Sequence, residues 1–133
     1  MKNKYLLDTH TFLWAVSRPD SFRLGDNAKE AIEDIESELF VSAVCLYEIT
    51  NKYRIGKLPE YHAIIENYIE ALAGLEAKEL ALTWKQAHLA GCMDWDHRDP
   101  FDRMLAAQAV SESMTLITRD KVFAEIPGLS ILW

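Results

Sequence analysis

Four acidic residues that lie far apart along the chain could serve one site: Asp8, Glu48, Asp102 and Asp120. Four carboxylates held close together repel one another, and the repulsion favours protonation of some of them. A divalent cation removes that repulsion, and carboxylate oxygens suit the hard ions Mg²⁺ and Mn²⁺. Such an ion can activate water and stabilise the charge that grows on a phosphate. If the fold brings these acids together, they predict metal-assisted phosphoryl chemistry.

In the segment "HRDPFDRMLAAQA", residues 97–109, local sequence alone does not distinguish helix caps from residues of a metal site. Asp99 precedes a proline, which is a favourable N-cap and first-turn pair for a helix. Asp102 then falls at the third helical position, where an acid can bond back to the cap residue. On local chemistry alone, both aspartates are helix caps.

Each of the other acids also has an ordinary structural explanation. Asp8 could cap the helix that follows it, and Asp120 could be a turn residue. Glu48 could form an ion pair with Lys52 four residues later, although a Glu on a largely apolar helix face is uncommon unless it is paired. These alternatives stay open at the level of single residues.

Strands and helices alternate along the chain. The pattern predicts strands at 5–8, 39–43, 77–82, 114–118 and 129–133, and helices at 9–16, 26–38, 44–57, 61–74, 83–91 and 99–113, with a short helix or turn at 119–126. Asp26 and Thr83 are candidate N-caps, and Gly74 is a candidate helix stop. This alternation predicts an α/β sandwich with a mostly parallel central sheet.

The predicted architecture gathers the acids. Ligands of open parallel sheets bind outside the carboxyl ends of the strands. Asp8 ends the first strand and Asp120 closely follows the strand at 114–118. A helix that returns from the sheet begins at this same edge, which brings the first turns containing Glu48 and Asp102 close to it. We therefore expect the four acids at one edge of the sheet.

Composition narrows the class of protein. The 133 residues fit a single domain over 1–133, and 50% hydrophobic with 26% charged residues is ordinary for a globular protein. A net charge of −7 argues against a broad basic surface that coats nucleic acid, but fits a basic partner. The absence of a long apolar run or a signal-peptide core predicts a cytoplasmic protein. Cys45 and Cys92 form no CxxC pattern, and we expect free, buried thiols rather than a zinc site.

A family resemblance makes the expectation more specific. The segments "LLDTHTFLW", "VSAVCLYEITNKYRIGKL", "HRDPFDRMLAAQA" and "LITRD" occur in the order seen in PIN-domain ribonucleases of the VapC toxin type, which the chain resembles nearly end to end. Residues 60–92 contribute little to the resemblance. Asp102 matches the family pattern D-x-x-[LI]-A-A, whereas Asp99 belongs to an "HxDPFDR" form that only a subgroup shows.

The resemblance implies a PIN-like three-layer sandwich in which Asp8, Glu48, Asp102 and Asp120 form the catalytic and metal-binding site. It also implies Mg²⁺- or Mn²⁺-dependent endonucleolytic cleavage of RNA, with a 5′-phosphate and a 3′-hydroxyl as products. The implied partner is a cognate antitoxin, and the implied assembly is a homodimer. Thr118 matches a small hydroxyl residue of the family and is a secondary candidate beside Asp99.

Several further residues lie near the acids in sequence. Arg98, Arg103 and Arg119 are candidates for contacts with RNA phosphates, although scattered basic residues are usually a solvated face. His10 and His97 are expected to be hydrogen-bonding neighbours of the acids rather than metal ligands. Trp95 is a candidate base-stacking residue, while Asp94 and Asp96 add negative charge near the expected RNA entrance.

Two other functions remain possible at this stage. "DTHT" after the first strand resembles the nucleophile motif D-x-D-x-T of haloacid-dehalogenase phosphatases, but His10 occupies the position of the second Asp. A non-catalytic module of the same fold could instead use the acidic edge to bind a basic peptide. Loss of nuclease activity on chelation distinguishes the enzyme from the module.

Overall fold

The protein contains a five-stranded parallel sheet, seen in a computed structural model that describes residues 2–133. The strands are β1 (Asn3–Leu7), β2 (Ser37–Ser42), β3 (Lys78–Leu80), β4 (Thr115–Ile117) and β5 (Ile131–Leu132). Their order is β3-β2-β1-β4-β5, and each neighbouring pair is parallel. Strand β1 therefore lies at the centre, where buried residues are expected.

Helices flank this sheet. They are α1 (Thr9–Val16), α2 (Asp26–Glu33), α3 (Ala43–Arg54), α4 (His62–Glu66), α5 (Tyr68–Gly74), α6 (Trp84–Cys92) and α7 (Pro100–Ser111). Short 3₁₀ helices cover Arg18–Arg23, Pro59–Tyr61 and Lys121–Glu125. Within residues 2–133, no helix is both long and apolar enough to span a bilayer. The predicted α/β sandwich with a mostly parallel sheet is confirmed.

The predicted helix at 26–38 is too long. Helix α2 ends at Glu33, because the Asp34 side chain accepts a hydrogen bond from the Glu36 N–H (2.9 Å) and forms a turn. Strand β2 then begins at Ser37 rather than at residue 39. Asp26 is not the N-cap either: Gly25 holds that position, and Asp26 is an acid in the first turn.

The predicted helix at 61–74 is interrupted. Asn67 has φ −126° and ψ 43°, outside the helical region, and it separates α4 from α5. A 3₁₀ helix also precedes this pair, so continuous helix begins only at His62. Gly74 does end α5, as predicted.

The core lies between the sheet and the helices. Its fully buried members include Leu6, Leu7, Leu116 and Ile117 from β1 and β4. Helix α7 contributes its buried run at 105–109, in which three alanines allow close approach to the sheet. These contacts fix α7, and therefore its N-terminus, relative to the central strands.

The two cysteines are free, but only one is buried. Cys45 lies in the core, where burial raises the pKa of its thiol to about 12. Cys92, at the end of α6, is exposed. The prediction that both are buried is therefore wrong for Cys92, because the side chain at the last turn of α6 does not face the sheet.

Candidate active site

Strands β1 and β4 end level with each other at the carboxyl edge of the sheet, and β2 extends one residue further. Leu7 of β1 is in register with Val41 of β2 and with Ile117 of β4. The residues that follow Leu7 and Ile117 are Asp8 and Thr118, so the register places these two polar side chains next to each other. The predicted convergence of chain segments at this edge is thus a direct result of strand pairing.

Thr118 connects two of the predicted acids. Its hydroxyl donates to Asp8 Oδ2 (2.6 Å) and accepts a hydrogen bond from the Asp120 N–H (3.1 Å). Asp8 also caps α1 by accepting from the Thr11 N–H (2.9 Å), and Asp120 caps the last 3₁₀ helix through the Val122 N–H (3.0 Å). Asp8 and Asp120 can therefore each cap a helix and also belong to the site. Thr118 is itself buried and orients the Asp8 carboxylate.

Glu48 is held by two side chains. Ser42 caps α3 and so sets the start of the helix that carries Glu48. The glutamate is 7% exposed, accepts from the Thr9 hydroxyl (2.6 Å) and pairs with Lys52 Nζ (2.6 Å). The ion pair considered from sequence is therefore present. Thr9 was missed from sequence, although its place directly after Asp8 is a usable signal.

The two aspartates of α7 play different roles. Asp99 is the N-cap and accepts from the N–H groups of Phe101 (2.9 Å) and Asp102 (3.2 Å). Asp102 lies in the first turn, and its carboxylate is bonded to His97 Nε2 (2.7 Å). The helix N-terminus favours negative charge at this position. Asp99 is thus a cap, as predicted, and Asp102 is directed away from the backbone.

All four predicted acids line one pocket, together with Asp99. This pocket has a volume of about 470 Å³, and its wall consists of Asp8, Thr9, His10, Trp14, Glu48, Lys52, Asp99, Asp102, Arg119, Asp120 and Phe123. Five carboxylates in this wall face only two permanent cations, Lys52 and Arg119. We call this space the acidic pocket.

The acidic pocket holds more negative charge than its own residues neutralise. The pKa of Asp102 is raised from 3.8 to about 6, mainly by burial and in part by the nearby carboxylates of Asp99 and Glu48, while the bond to His97 opposes the rise. A carboxyl group perturbed in this way marks a candidate functional site. A divalent cation bound by carboxylate oxygens fits this donor set and would relieve the repulsion.

One compact group of potential metal ligands exists within residues 2–133: His97, Asp99 and Asp102, whose ligand atoms all lie within 4.8 Å of one another. It shares only Asp102 with the four acids predicted from sequence. His97 was expected to be a hydrogen-bonding neighbour, and its contact with Asp102 agrees with that expectation. The spacing H-x-D-x-x-D was visible in the sequence and could have suggested the group.

The three candidate arginines differ in their surroundings. Arg98 and Arg119 are exposed, and Arg119 lines the acidic pocket. The guanidinium of Arg103 instead donates hydrogen bonds to four backbone carbonyls of residues 90–97. It is therefore poorly placed to contact an RNA phosphate. The suggestion that Arg103 contacts RNA is therefore corrected, because its side chain is directed into the protein.

Trp95 is not a free stacking surface. Its ring is partly buried and packs against His97 and Phe123, with ring centroids 4.8 and 5.8 Å apart. The indole N–H is buried without a hydrogen-bond partner. Because these neighbours pack against the indole ring, the structure does not support base stacking on Trp95.

The fold and the acidic pocket together define an α/β protein with a carboxylate-lined site at the carboxyl edge of its sheet. A model of the PIN domain family matches residues 5–129, and the chain belongs to this family. The resemblance inferred from the motifs is thereby confirmed. The phosphatase alternative is not retained, because it requires a different family. A search of curated proteins finds no significant match.

Solved structures share this fold at low sequence identity. A chain from VapBC2 of Rickettsia felis, bound to a DNA fragment from its promoter, has a TM-score of 0.70 at 20% identity, and each chain is covered to 98%. DNA-bound VapBC from Salmonella typhimurium gives 0.68 at 20%, with 98% of this chain and 97% of that one covered. VapC20 of Mycobacterium tuberculosis, described as a sarcin–ricin loop cleaving toxin, gives 0.64 at 15%, with coverages of 94% and 96%.

Proposed function

We propose that this protein is a divalent-metal-dependent endoribonuclease and the toxin of a type II toxin–antitoxin pair. The observation that carries the proposal is the convergence of five carboxylates in the acidic pocket, with the pKa of Asp102 raised to about 6. Membership of the PIN domain family supports it, as does the fold shared with VapC20.

Asp8, Glu48, Asp102 and Asp120 would hold Mg²⁺ or Mn²⁺. When bound, such an ion activates water for attack on a phosphodiester and stabilises the leaving oxygen. Thr118 and Thr9 hold the Asp8 and Glu48 carboxylates in fixed orientations through bonds of 2.6 Å. Preorganised ligands of this kind lose little freedom when the ion and substrate bind.

The other residues of the pocket have supporting roles. Asp99 fixes the first turn of α7 and so the position of Asp102. Lys52 holds the Glu48 carboxylate in place through their ion pair. Arg119 in the pocket wall and the exposed Arg98 would contact RNA phosphates. These cations offset part of the repulsion between the acidic pocket and the RNA backbone.

A cognate antitoxin is the proposed protein partner, within a homodimeric assembly in the cytoplasm. The support comes from the VapBC complexes, whose fold this chain shares. A net charge of −7 is suited to a basic antitoxin segment.

Cleavage of RNA by the Asp8→Asn variant tests the proposal. Asparagine keeps one oxygen, which can accept from the Thr11 N–H, and its amide NH2 can donate to the Thr118 hydroxyl, so the fold should persist while the charge is lost. We expect no cleavage by purified Asp8→Asn, and wild-type rates from the matched control Asp26→Asn, whose acid lies exposed on α2. Wild-type cleavage by Asp8→Asn would overturn the metal-site assignment.

Chelation separates the enzyme from the alternative, a non-catalytic module that binds a basic peptide. The excess of carboxylates in the acidic pocket would suit such a peptide as well as a metal ion. For the enzyme, EDTA should abolish cleavage and Mn²⁺ should restore it. Absence of cleavage on total RNA with Mn²⁺ present, together with tight binding of a basic peptide, would favour the module.

A further inference from the structure

The Arg103 side chain is bonded to four backbone carbonyls. Nε donates to Ala90 O (3.0 Å), Nη1 donates to Trp95 O (2.6 Å) and His97 O (3.0 Å), and Nη2 donates to Met93 O (2.7 Å). Each of the three guanidinium nitrogens therefore has at least one partner. An arginine on α7 thus holds the chain that leads from the end of α6 to the start of α7.

Residues 93–98, here called the α6–α7 loop, contain no helix or strand. The backbone bond from Trp95 N to Met93 O (3.0 Å) is internal to this loop and does not anchor it to the rest of the protein. Besides the three bonds from Arg103 to its carbonyls, the loop is fixed by the Met93 N–H bond to Leu89 O (3.0 Å), by the side-chain bond of His97 to Asp102 (2.7 Å) and by packing of Trp95 on Phe123. Arg103 therefore supplies most of the polar anchoring of the loop.

The α6–α7 loop brings His97 into contact with Asp102, which lines the acidic pocket. The His97 ring packs on one side against Trp95, with centroids 4.8 Å apart, and Nε2 is bonded to Asp102 Oδ2 (2.7 Å). Because Arg103 bonds to the carbonyls of both Trp95 and His97, it fixes the backbone from which this ring projects. One side chain thus determines where the histidine lies relative to the carboxylate.

We propose that Arg103 is a positioning residue, which fixes the α6–α7 loop so that His97 orients the Asp102 carboxylate. The proposal rests on the proposed function, since the effect of that orientation is on metal binding. Partners that orient a metal ligand typically contribute 10- to 100-fold to metal affinity. Lysine cannot replace this arginine, because one ammonium group lacks the planar set of five N–H donors that reaches four carbonyls.

The proposal is tested by measuring the Mn²⁺ affinity of the RNA-free protein by isothermal titration calorimetry. We expect Arg103→Ala and His97→Ala each to weaken binding about 10- to 100-fold, with no rescue in Arg103→Lys. The double variant should be no weaker than the weaker single variant, because both changes break the same contact. Arg18→Ala, which removes an exposed arginine on a 3₁₀ helix, is the charge-matched control. Unchanged affinity in folded Arg103→Ala, or multiplicative losses in the double variant, would overturn the proposal.

An NMR measurement tests the same contact without metal or activity. In the wild-type background, Asp102→Asn should shift the His97 ring nitrogen resonances, because these two side chains are bonded. In the Arg103→Lys background this shift should be lost, and circular dichroism checks that the fold is retained. An equal shift in both backgrounds would refute the positioning role. Failure of the wild type to bind Mn²⁺ would instead count against the proposed function, and the NMR result would still decide the role of Arg103.

Discussion

The substitution Asp102→Asn should stabilise the metal-free protein at neutral pH. Burial and the neighbouring carboxylates hold the pKa of Asp102 at about 6, compared with an ordinary value of 3.8. Ionisation of this group is therefore harder in the folded protein than in the unfolded chain. Asparagine resembles the protonated acid and can still face His97, so it removes this penalty without leaving a cavity.

The size of the gain follows from the two pKa values. Their difference of about two corresponds to about 3 kcal/mol when the group is fully ionised. Because 24% of the Asp102 side chain is exposed to water, we expect about 1–3 kcal/mol at pH 7.5. The folded state holds the proton more tightly, so wild-type stability falls as the pH rises from about 4 to about 6. At pH 5 the gain should be about half as large.

Urea unfolding in EDTA at pH 7.5 and pH 5 measures this difference. Asp94→Asn, which alters an exposed acid of the α6–α7 loop, should change stability by less than about 0.5 kcal/mol at both values. Addition of Mn²⁺ should reverse the order, since saturating a ligand site to 100 times its Kd adds about 2.7 kcal/mol to the wild type. A destabilised Asp102→Asn at pH 7.5, or a gain that does not depend on pH, would refute the reasoning.

Four further substitutions, at three positions, test the capping and packing that support the site. Asp99→Asn should keep the α7 cap and much of the cleavage activity, while Asp99→Ala should lose about 1 kcal/mol in urea unfolding; an Asp99→Asn variant as inactive as Asp102→Asn would place Asp99 among the metal ligands. Thr83→Ala should lose about 1 kcal/mol, because Thr83 and Gln86 form a capping box. Gly25→Ala should lose about 1–3 kcal/mol, since a Cβ there would lie 2.7 Å from the Trp133 side chain; an unchanged melting temperature would contradict this.

Some of the sequence predictions were wrong where local patterns competed with turns. The apolar periodicity at 61–74 predicted one helix, but the backbone of Asn67 leaves the helical region between α4 and α5. Acidic periodicity likewise extended the helix at 26–38 past Asp34, whose side chain forms a turn. Both helices were predicted too long because periodicity indicates which residues face the core and not where the backbone turns.

The prediction for Arg103 was wrong for a different reason. Nearness to the acids in sequence suggested a contact with RNA, and the composition of the segment offered nothing against it. The four carbonyl partners of this arginine belong to residues 90–97, which fold back along α7 only in the tertiary structure. Sequence proximity therefore placed Arg103 correctly near the acids but assigned it the wrong binding partner, RNA instead of backbone carbonyls.

The sequence by itself determined the alternation of strands and helices, the caps at Asp8, Asp99 and Thr83, and the membership of a family. These depend on short-range periodicity, on bonds within one helical turn and on motif order, which are properties of contiguous residues. Only the tertiary structure decided how the acids are held. Thr118 reaches Asp8 across 110 residues, and the raised pKa of Asp102 depends on burial and in part on Glu48 of α3. Hydrogen bonds and electric fields act through space, so their partners are set by strand register and packing rather than by position along the chain.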